Sequence, residues 1–136
     1  MKKLTLSLLL ICNLCLFGCS TDSETLKERD DAKLNKMHQD LIDLSESQTR
    51  PCTNPDEWAY IKIANICGSY EYMIYSKKIN TAEFLKKTEE YNKAREIFYG
   101  KWPANCAVIS IWNPGIPKGL DCYDGKPIIL YNTALK

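Results

Sequence analysis

The sequence predicts an α+β domain: a small antiparallel sheet with one packed helix and two disulfides, preceded by a helical or flexible tether. Three observations indicate this fold class. Residues 81–99 carry the start and stop signals of an amphipathic helix, short runs of β-branched and aromatic residues flank them, and residues 51–136 contain four cysteines. A single helix among short strands joined by tight turns is typical of α+β domains.

The first 18 residues have the pattern of a lipoprotein signal peptide. Two lysines precede an apolar run over residues 4–17, which is shorter than the roughly 20 residues that span a bilayer. The run ends in LFGC, which resembles a bacterial lipobox. We expect Cys19 to begin the mature chain, to carry a diacylglyceryl thioether and to bear palmitate or a similar chain on its amine. An ordinary signal peptide with incidental cysteines is the alternative.

The charge of the mature chain limits its partners. Removal of residues 1–18 takes away two lysines and no acids, which leaves 16 basic and 17 acidic side chains. A nucleic-acid-binding protein is expected to show a basic excess, so we exclude that class. Ser20, instead of Asp, follows the lipidated cysteine, which resembles the sorting rule for the outer membrane and favours that destination if the source is a diderm bacterium. We therefore expect a lipid-anchored envelope protein, on the periplasmic face rather than the cell surface.

Four cysteines follow the anchor, and an even number in a small exported chain predicts two disulfides. They are Cys52, Cys67, Cys106 and Cys122. None forms a C-x-x-C pair and the only histidine lies outside their region, so we expect no metal site. Three pairings exist. Short loops close most easily, which favours Cys52–Cys67 with Cys106–Cys122, and crossed pairing is a rival.

Residues 19–50 are predicted to be a lipid-anchored, helical tether. They contain no aromatic residue, glycine or proline beyond the anchor, but many charges and good helix formers. An apolar stripe recurs at helical spacing through Leu34, Met37, Leu41 and Leu44. We interpret the segment as a solvated spacer, with pairing to a partner helix as the alternative. Prolines at positions 51 and 55 end the helix, so the globular domain is predicted over residues 51–136.

The domain is predicted to open with two strands, at residues 58–63 and 70–75, joined at Gly68. A helix over residues 81–99 follows. Asn80 is its expected N-cap, with Glu83 completing a capping box and Gly100 providing a left-handed stop. Its apolar face repeats by sevens and is widened by neighbouring residues: Phe84, Leu85, Thr88, Tyr91, Ala94 and Phe98.

Three further strands are predicted after the helix. The first covers residues 106–112 and leads into a loop rich in proline and glycine. The other two, residues 120–123 and 126–131, flank Asp124-Gly125, which is a strong signal for a β-hairpin. The resulting order β, β, α, β, β, β suggests one helix packed across one antiparallel sheet.

The domain offers few groups for catalysis, and we expect no enzymatic activity and no cofactor. Residues 51–136 contain no histidine, and we expect His38 to remain away from the domain because its neighbours are polar. Phosphate-binding glycine motifs are absent from the sequence. A small cell-wall hydrolase that uses Asp121 and Asp124 is the catalytic alternative.

Aromatic residues are the more informative feature of the domain. Tyr and Trp are abundant after residue 50, and a small domain cannot bury them all. Both residue types anchor protein interfaces. Trp112, in the sequence IWNPGIPKG, is the leading candidate for contact with a partner, because prolines would hold its loop rigid. Trp102, Tyr70 and Tyr123 are further candidates.

The domain also resembles a group of small exported bacterial lipoproteins to which no activity is assigned. The similarity covers most of residues 52–126 and follows a pattern of a Trp, a Cys-Gly, a Tyr-x-x-Tyr-Ser and two late cysteines. The matching residues are Trp58, Cys67, Gly68, Tyr72, Tyr75, Ser76, Cys106 and Cys122. The resemblance implies export and disulfides, but no substrate.

These observations predict a membrane-anchored envelope lipoprotein whose domain binds a protein and does not catalyse a reaction, as an inhibitor, immunity protein or phage-exclusion protein would. Two alternatives remain. One is a structural tether that pairs through residues 24–48, like the outer lipoprotein subunit of a phage lysis apparatus. The other is the small cell-wall hydrolase.

Overall fold

The computed structural model describes residues 21–66, 69–104, 106 and 115–132. Its elements confirm the predicted α+β class, with a 3₁₀ turn at Pro55–Glu57. The helices are α1 (Thr21–Ser45) and α2 (Thr81–Lys101), and the strands are β1 (Trp58–Ile66), β2 (Ser69–Ser76), β3 (Pro117–Tyr123) and β4 (Lys126–Tyr131). The predicted signal peptide and Cys19 lie outside the described residues.

The strands form two separate hairpins, so the prediction of one sheet is wrong for the described residues. β1 pairs with β2 and β3 pairs with β4, both antiparallel. The arrangement follows the order of the chain, because each strand pairs with its neighbour in sequence. The strand predicted over residues 106–112 is wrong at Cys106, which is helical, and residues 107–114 lie outside the described part.

The chain divides into two compact units, residues 1–32 and residues 33–136. α1 crosses this boundary. In the first unit its described side chains are mostly exposed, including Leu26. In the second unit Leu34 and Leu41 are only 6% and 1% exposed. Residues 33–50, which the sequence assigns to a solvated tether, therefore belong to the globular unit.

The core of the second unit lies where α1, α2 and one face of the first hairpin meet. Its buried members are Leu34, Leu41, Ile63, Met73, Phe84, Tyr91 and Phe98. The residues predicted at seven-residue spacing on α2 are all among them, as the helical period requires. Leu85 is 38% exposed, so its predicted place on this apolar face is wrong.

Local signals fix the start of α2 as predicted, but its end differs. The side chain of Asn80 accepts a hydrogen bond from the N–H of Glu83 at 3.2 Å. Gly100 does not stop the helix, because it is helical itself and the N–H of Trp102 still bonds to the Phe98 carbonyl at 2.7 Å. The stop comes from Pro103, since a residue before proline is disfavoured in the helical conformation.

The two faces of the first hairpin have different surroundings. Register pairs Ile61 with Met73 and Ala59 with Tyr75, and this face packs on α2, with the rings of Tyr75 and Phe84 4.7 Å apart. The pairs on the opposite face include Trp58↔Ser76 and Lys62↔Tyr72. There the ring of Tyr72 lies 6.5 Å from that of Tyr131 on β4. The second hairpin therefore adjoins the face that α2 leaves uncovered.

The turn of the second hairpin confirms the Asp124-Gly125 prediction. Both residues have positive φ, 49° and 71°, as a two-residue turn that matches strand twist requires. The carbonyl of Gly125 accepts a hydrogen bond from the N–H of Cys52 at 2.8 Å. This turn is thereby joined to the segment that leads into β1.

The disulfide pairing favoured by loop length is wrong. Cys52 is bonded to Cys122, across 70 positions of the sequence. Short loops are favoured in an unfolded chain, but here the fold decides, because the segment before β1 hydrogen-bonds to the turn of the second hairpin. Cys106 is also disulfide-bonded. Cys67 lies outside the described residues.

Replacement of Leu41 tests whether the end of α1 belongs to the fold. Leu41→Ala removes a side chain that is 1% exposed, so we expect the free energy of unfolding to fall by about 3 kcal/mol. Leu26→Ala is the matched control on the same helix, with an expected change below about 0.5 kcal/mol. Urea denaturation measures both. Equal, small effects would show that α1 is a solvated spacer throughout.

The Cys52–Cys122 disulfide is expected to make a large contribution to stability. A Cys52→Ala, Cys122→Ala variant opens a loop that spans 70 positions, and we expect a loss of about 4 kcal/mol in unfolding free energy. Proteolysis of the unreduced protein should release one fragment pair that joins Cys52 to Cys122. Recovery of a fragment that joins Cys52 to Cys67 would contradict the pairing.

Candidate functional site

The main candidate site is a cleft of about 600 Å³ along the edge of β2. We call it the β2 cleft. α1 and the turn after it form one wall, and the start of β4 forms the other. Its lining includes His38, Ile42, Gln48, Glu71, Tyr72, Met73, Ile74, Lys126 and Pro127. A cleft of this size suits a ligand as large as a short peptide.

The edge of β2 presents backbone hydrogen-bonding groups to this cleft. In an antiparallel pair, directly opposed residues alternate between those that exchange backbone hydrogen bonds and those that do not. The N–H of Lys77 bonds to the carbonyl of Glu57 at 2.8 Å, which fixes the phase of this alternation. By this alternation, the pairs Lys62↔Tyr72 and Tyr60↔Ile74 exchange no backbone hydrogen bonds between β1 and β2. The N–H and C=O groups of Tyr72 and Ile74 therefore point away from β1.

No other described segment supplies a backbone partner to these groups. The backbone hydrogen bonds outside the helices and strands include none to Tyr72 or Ile74 within the described ranges. β4 lies near β2 but pairs only with β3. Among residues 21–66, 69–104, 106 and 115–132, the outer edge of β2 is therefore unpaired.

A polar cluster lies at one end of the cleft, centred on Glu71. Arg95 donates to one carboxylate oxygen of Glu71 at 3.0 Å. Nε2 of His38 lies 3.8 Å from the other oxygen. The rings of His38 and Tyr91 are stacked, with centroids 5.4 Å apart, and the guanidinium carbon of Arg95 lies 5.6 Å from the Tyr91 ring centre.

His38 therefore contacts the domain, and the expectation that it stays away is wrong. The reason is helical spacing, because His38 follows Leu34 by one turn and precedes Leu41 by almost one. Burial of these two leucines brings the imidazole against Tyr91. The polar character of its neighbours in sequence does not describe its neighbours in space.

Burial raises the pKa of Tyr91 above its ordinary value of 10.0. The cation of Arg95 opposes this shift, whereas the Glu71 carboxylate and Tyr99 add to it. Burial likewise raises the pKa of Tyr131, with a smaller contribution from Tyr72. Both phenols are held in the neutral form that a partly apolar surrounding favours.

The predicted partner-binding residues lie elsewhere or outside the described part. Tyr123 is 72% exposed next to the turn of the second hairpin. Trp102 is partly buried at the end of α2, where it packs on the core and its ring lies 4.9 Å from the Lys101 ammonium. Neither lines the β2 cleft. Trp112 and the side chain of Tyr70 lie outside the described residues, so their role stays a prediction.

Sequence reasoning missed the residues that do line the cleft. Glu71 and Lys126 carry no motif, since only the pairing of β2 and the position of β4 bring them to the site. His38 had a usable signal, because it lies at helical spacing within the leucine stripe that predicts a buried face.

Comparisons with known proteins do not identify a relative. No protein-family model matches the chain, and neither a curated protein nor a solved structure is detectably similar to it. Within the described ranges, no group of three or more His, Cys, Asp and Glu residues is placed to hold a metal ion. No helix in the same ranges is long and apolar enough to cross a membrane.

The environment of Tyr91 predicts a specific loss of stability in alkali. Its pKa is higher when folded, so above about pH 10 the unfolded chain releases the phenolic proton more readily and stability falls with rising pH. Tyr91→Phe removes this contribution, and the stability difference between wild type and variant should shift in favour of the variant above pH 10. Urea unfolding at several pH values measures it, with Tyr123→Phe as an exposed control. A difference that is independent of pH would contradict the assignment.

Proposed function

We propose that this chain is a lipid-anchored envelope protein whose globular unit is a non-catalytic protein-binding module, with the β2 cleft as its binding surface. The observation that carries the proposal is the outer edge of β2, where Tyr72 and Ile74 present backbone groups to a preformed cleft. Exposed strand edges are common docking sites for polypeptide segments. The lipobox-like LFGC sequence supports the membrane anchor.

The disulfide supports both the compartment and the binding role. A Cys52–Cys122 bond is expected to persist in an oxidising space such as the envelope. It also joins the segment before β1 to β3, and β3 holds β4, which forms one wall of the cleft. A rigid wall lowers the entropic cost of binding, because less of the surface must become ordered.

The structure favours a binding module over a tether that pairs with a partner helix. The most buried residues of the apolar stripe, Leu34 and Leu41, are already packed in the core of the same chain. They are therefore not available to a second helix. The first unit contributes only Leu26 as an exposed large apolar residue of α1.

The hydrolase alternative is less well supported by the cleft. The one carboxylate among the described residues that line the cleft is already engaged, since Glu71 accepts a hydrogen bond from Arg95 and lies beside His38. The proposed pair of acids is also otherwise engaged. Asp121 accepts a hydrogen bond from the N–H of Cys122 at 2.8 Å, and Asp124 adopts the positive φ of the turn.

Site-specific photocrosslinking in living cells tests the proposed function. A photoreactive amino acid at Gln48, an exposed residue that lines the cleft, should form one discrete adduct with an envelope protein. The control is the same amino acid at Glu90, an exposed position on α2 that does not line the cleft. Immunoblotting after irradiation compares the two.

An adduct from Gln48 alone, whose partner is then identified by mass spectrometry, is the expected result. Equal adducts from both positions would indicate random collision in the envelope. The absence of any adduct from Gln48 would count against the cleft as a binding surface.

A further inference from the structure

We infer that the β2 cleft takes an extended segment of a partner protein as a third strand beside β2, and that this segment carries an acidic side chain opposite Lys126. The inference rests on the proposed function and names the kind of segment that the cleft accepts. It follows from two features of the described residues, the spacing of the outward backbone groups and the balance of charge.

The backbone groups on the edge of β2 are spaced for a strand. Tyr72 and Ile74 each direct one N–H and one C=O outward, two residues apart. In an antiparallel sheet this separation is about 7 Å, and an extended chain presents its own groups at the same interval. A helix cannot pair in this way, because its backbone groups are bonded internally. The geometry therefore favours an extended segment.

The walls of the cleft restrict how a partner segment can approach the edge of β2. Ile42 and Met73 provide an apolar lining, while Pro127 and Lys126 lie at the start of β4. An exposed strand edge is a hazard for uncontrolled pairing, and proteins cover or flank such edges. Here α1 and β4 flank the edge without pairing with it. A single inserted strand fits this arrangement better than the edge of a broad sheet.

The charges in the cleft are not balanced. The carboxylate of Glu71 is bonded to Arg95 at 3.0 Å and lies close to His38. Lys126 is exposed in the same cleft and makes no ion pair with any described residue. A carboxylate on the bound segment would complement this ammonium group. An acidic residue in the partner is therefore the specific expectation.

Amide hydrogen exchange, measured by NMR on the mature lipidated chain in detergent micelles, tests the inference directly. In the free protein the N–H groups of Tyr72 and Ile74 should exchange rapidly. The N–H groups of Met73 and Tyr75, which face β1, should exchange slowly. This alternation is the signature of an open edge.

The probe is the capped peptide acetyl-KTVEVTK-amide. Its matched control acetyl-KTVQVTK-amide replaces the acidic side chain by an uncharged amide, and acetyl-KTPEPTK-amide is a form that cannot pair. At saturation the first peptide should slow exchange at Tyr72 and Ile74 at least tenfold, while the proline form has no effect. Loss of the acidic group should weaken binding about two- to fivefold. That difference should disappear in Lys126→Gln.

Other results would overturn the inference. Slow exchange at Tyr72 and Ile74 in the free protein would mean that the edge is already paired. Protection that rises with protein concentration, without peptide, would identify a second copy of this chain as the occupant. Unchanged exchange at millimolar peptide would exclude strand addition. If the Gln48 crosslink still forms in that case, the protein-binding function stands and only its mode is different.

Discussion

The packing of the second half of α1 against α2 and the first hairpin is the contact on which the rest of this structure depends. Leu41 is 1% exposed, and it shares a core with Phe84 and Ile63, which are both completely buried. Burial of a leucine of this kind contributes a few kcal/mol, which is a large share of the stability of a small domain. The same contact fixes the rotation of α1. His38 consequently faces Tyr91, and Ile42 lines the β2 cleft.

A second constraint comes from the other end of the unit. The Cys52–Cys122 bond and the hydrogen bond from Cys52 to Gly125 join the segment before β1 to the second hairpin. That hairpin lies against the first hairpin on the face where Tyr72 meets Tyr131. Its β4 strand then supplies Lys126 to the cleft. The helix contact and the disulfide thus build opposite walls of one site.

The features that could be predicted from sequence are those with local causes. Asn80 caps α2, and Asp124-Gly125 forms the turn of the second hairpin, because each of these signals acts within a few residues. The remaining features depend on contacts between distant parts of the chain. Glu71 and Arg95 are 24 positions apart and Cys52 and Cys122 are 70 apart. The composition of α1 predicts a solvated helix, although its leucine stripe belongs to the core. Because α1 forms one wall of the β2 cleft, sequence reasoning did not find the cleft either.

In the part of the chain that the structure describes, the edge of β2 stays unpaired because the neighbouring elements use their own backbone groups. α1 adjoins the edge, but its backbone groups are consumed by the internal bonds of the helix. β4 adjoins it from the other side, but it is paired with β3 from Lys126 to Tyr131. Neither wall can supply backbone hydrogen bonds to the outward N–H and C=O groups of Tyr72 and Ile74. Water is the default partner for backbone groups of this kind. A strand from another protein would replace that water with hydrogen bonds between two walls that already exist, so little reorganisation of the domain is required for binding.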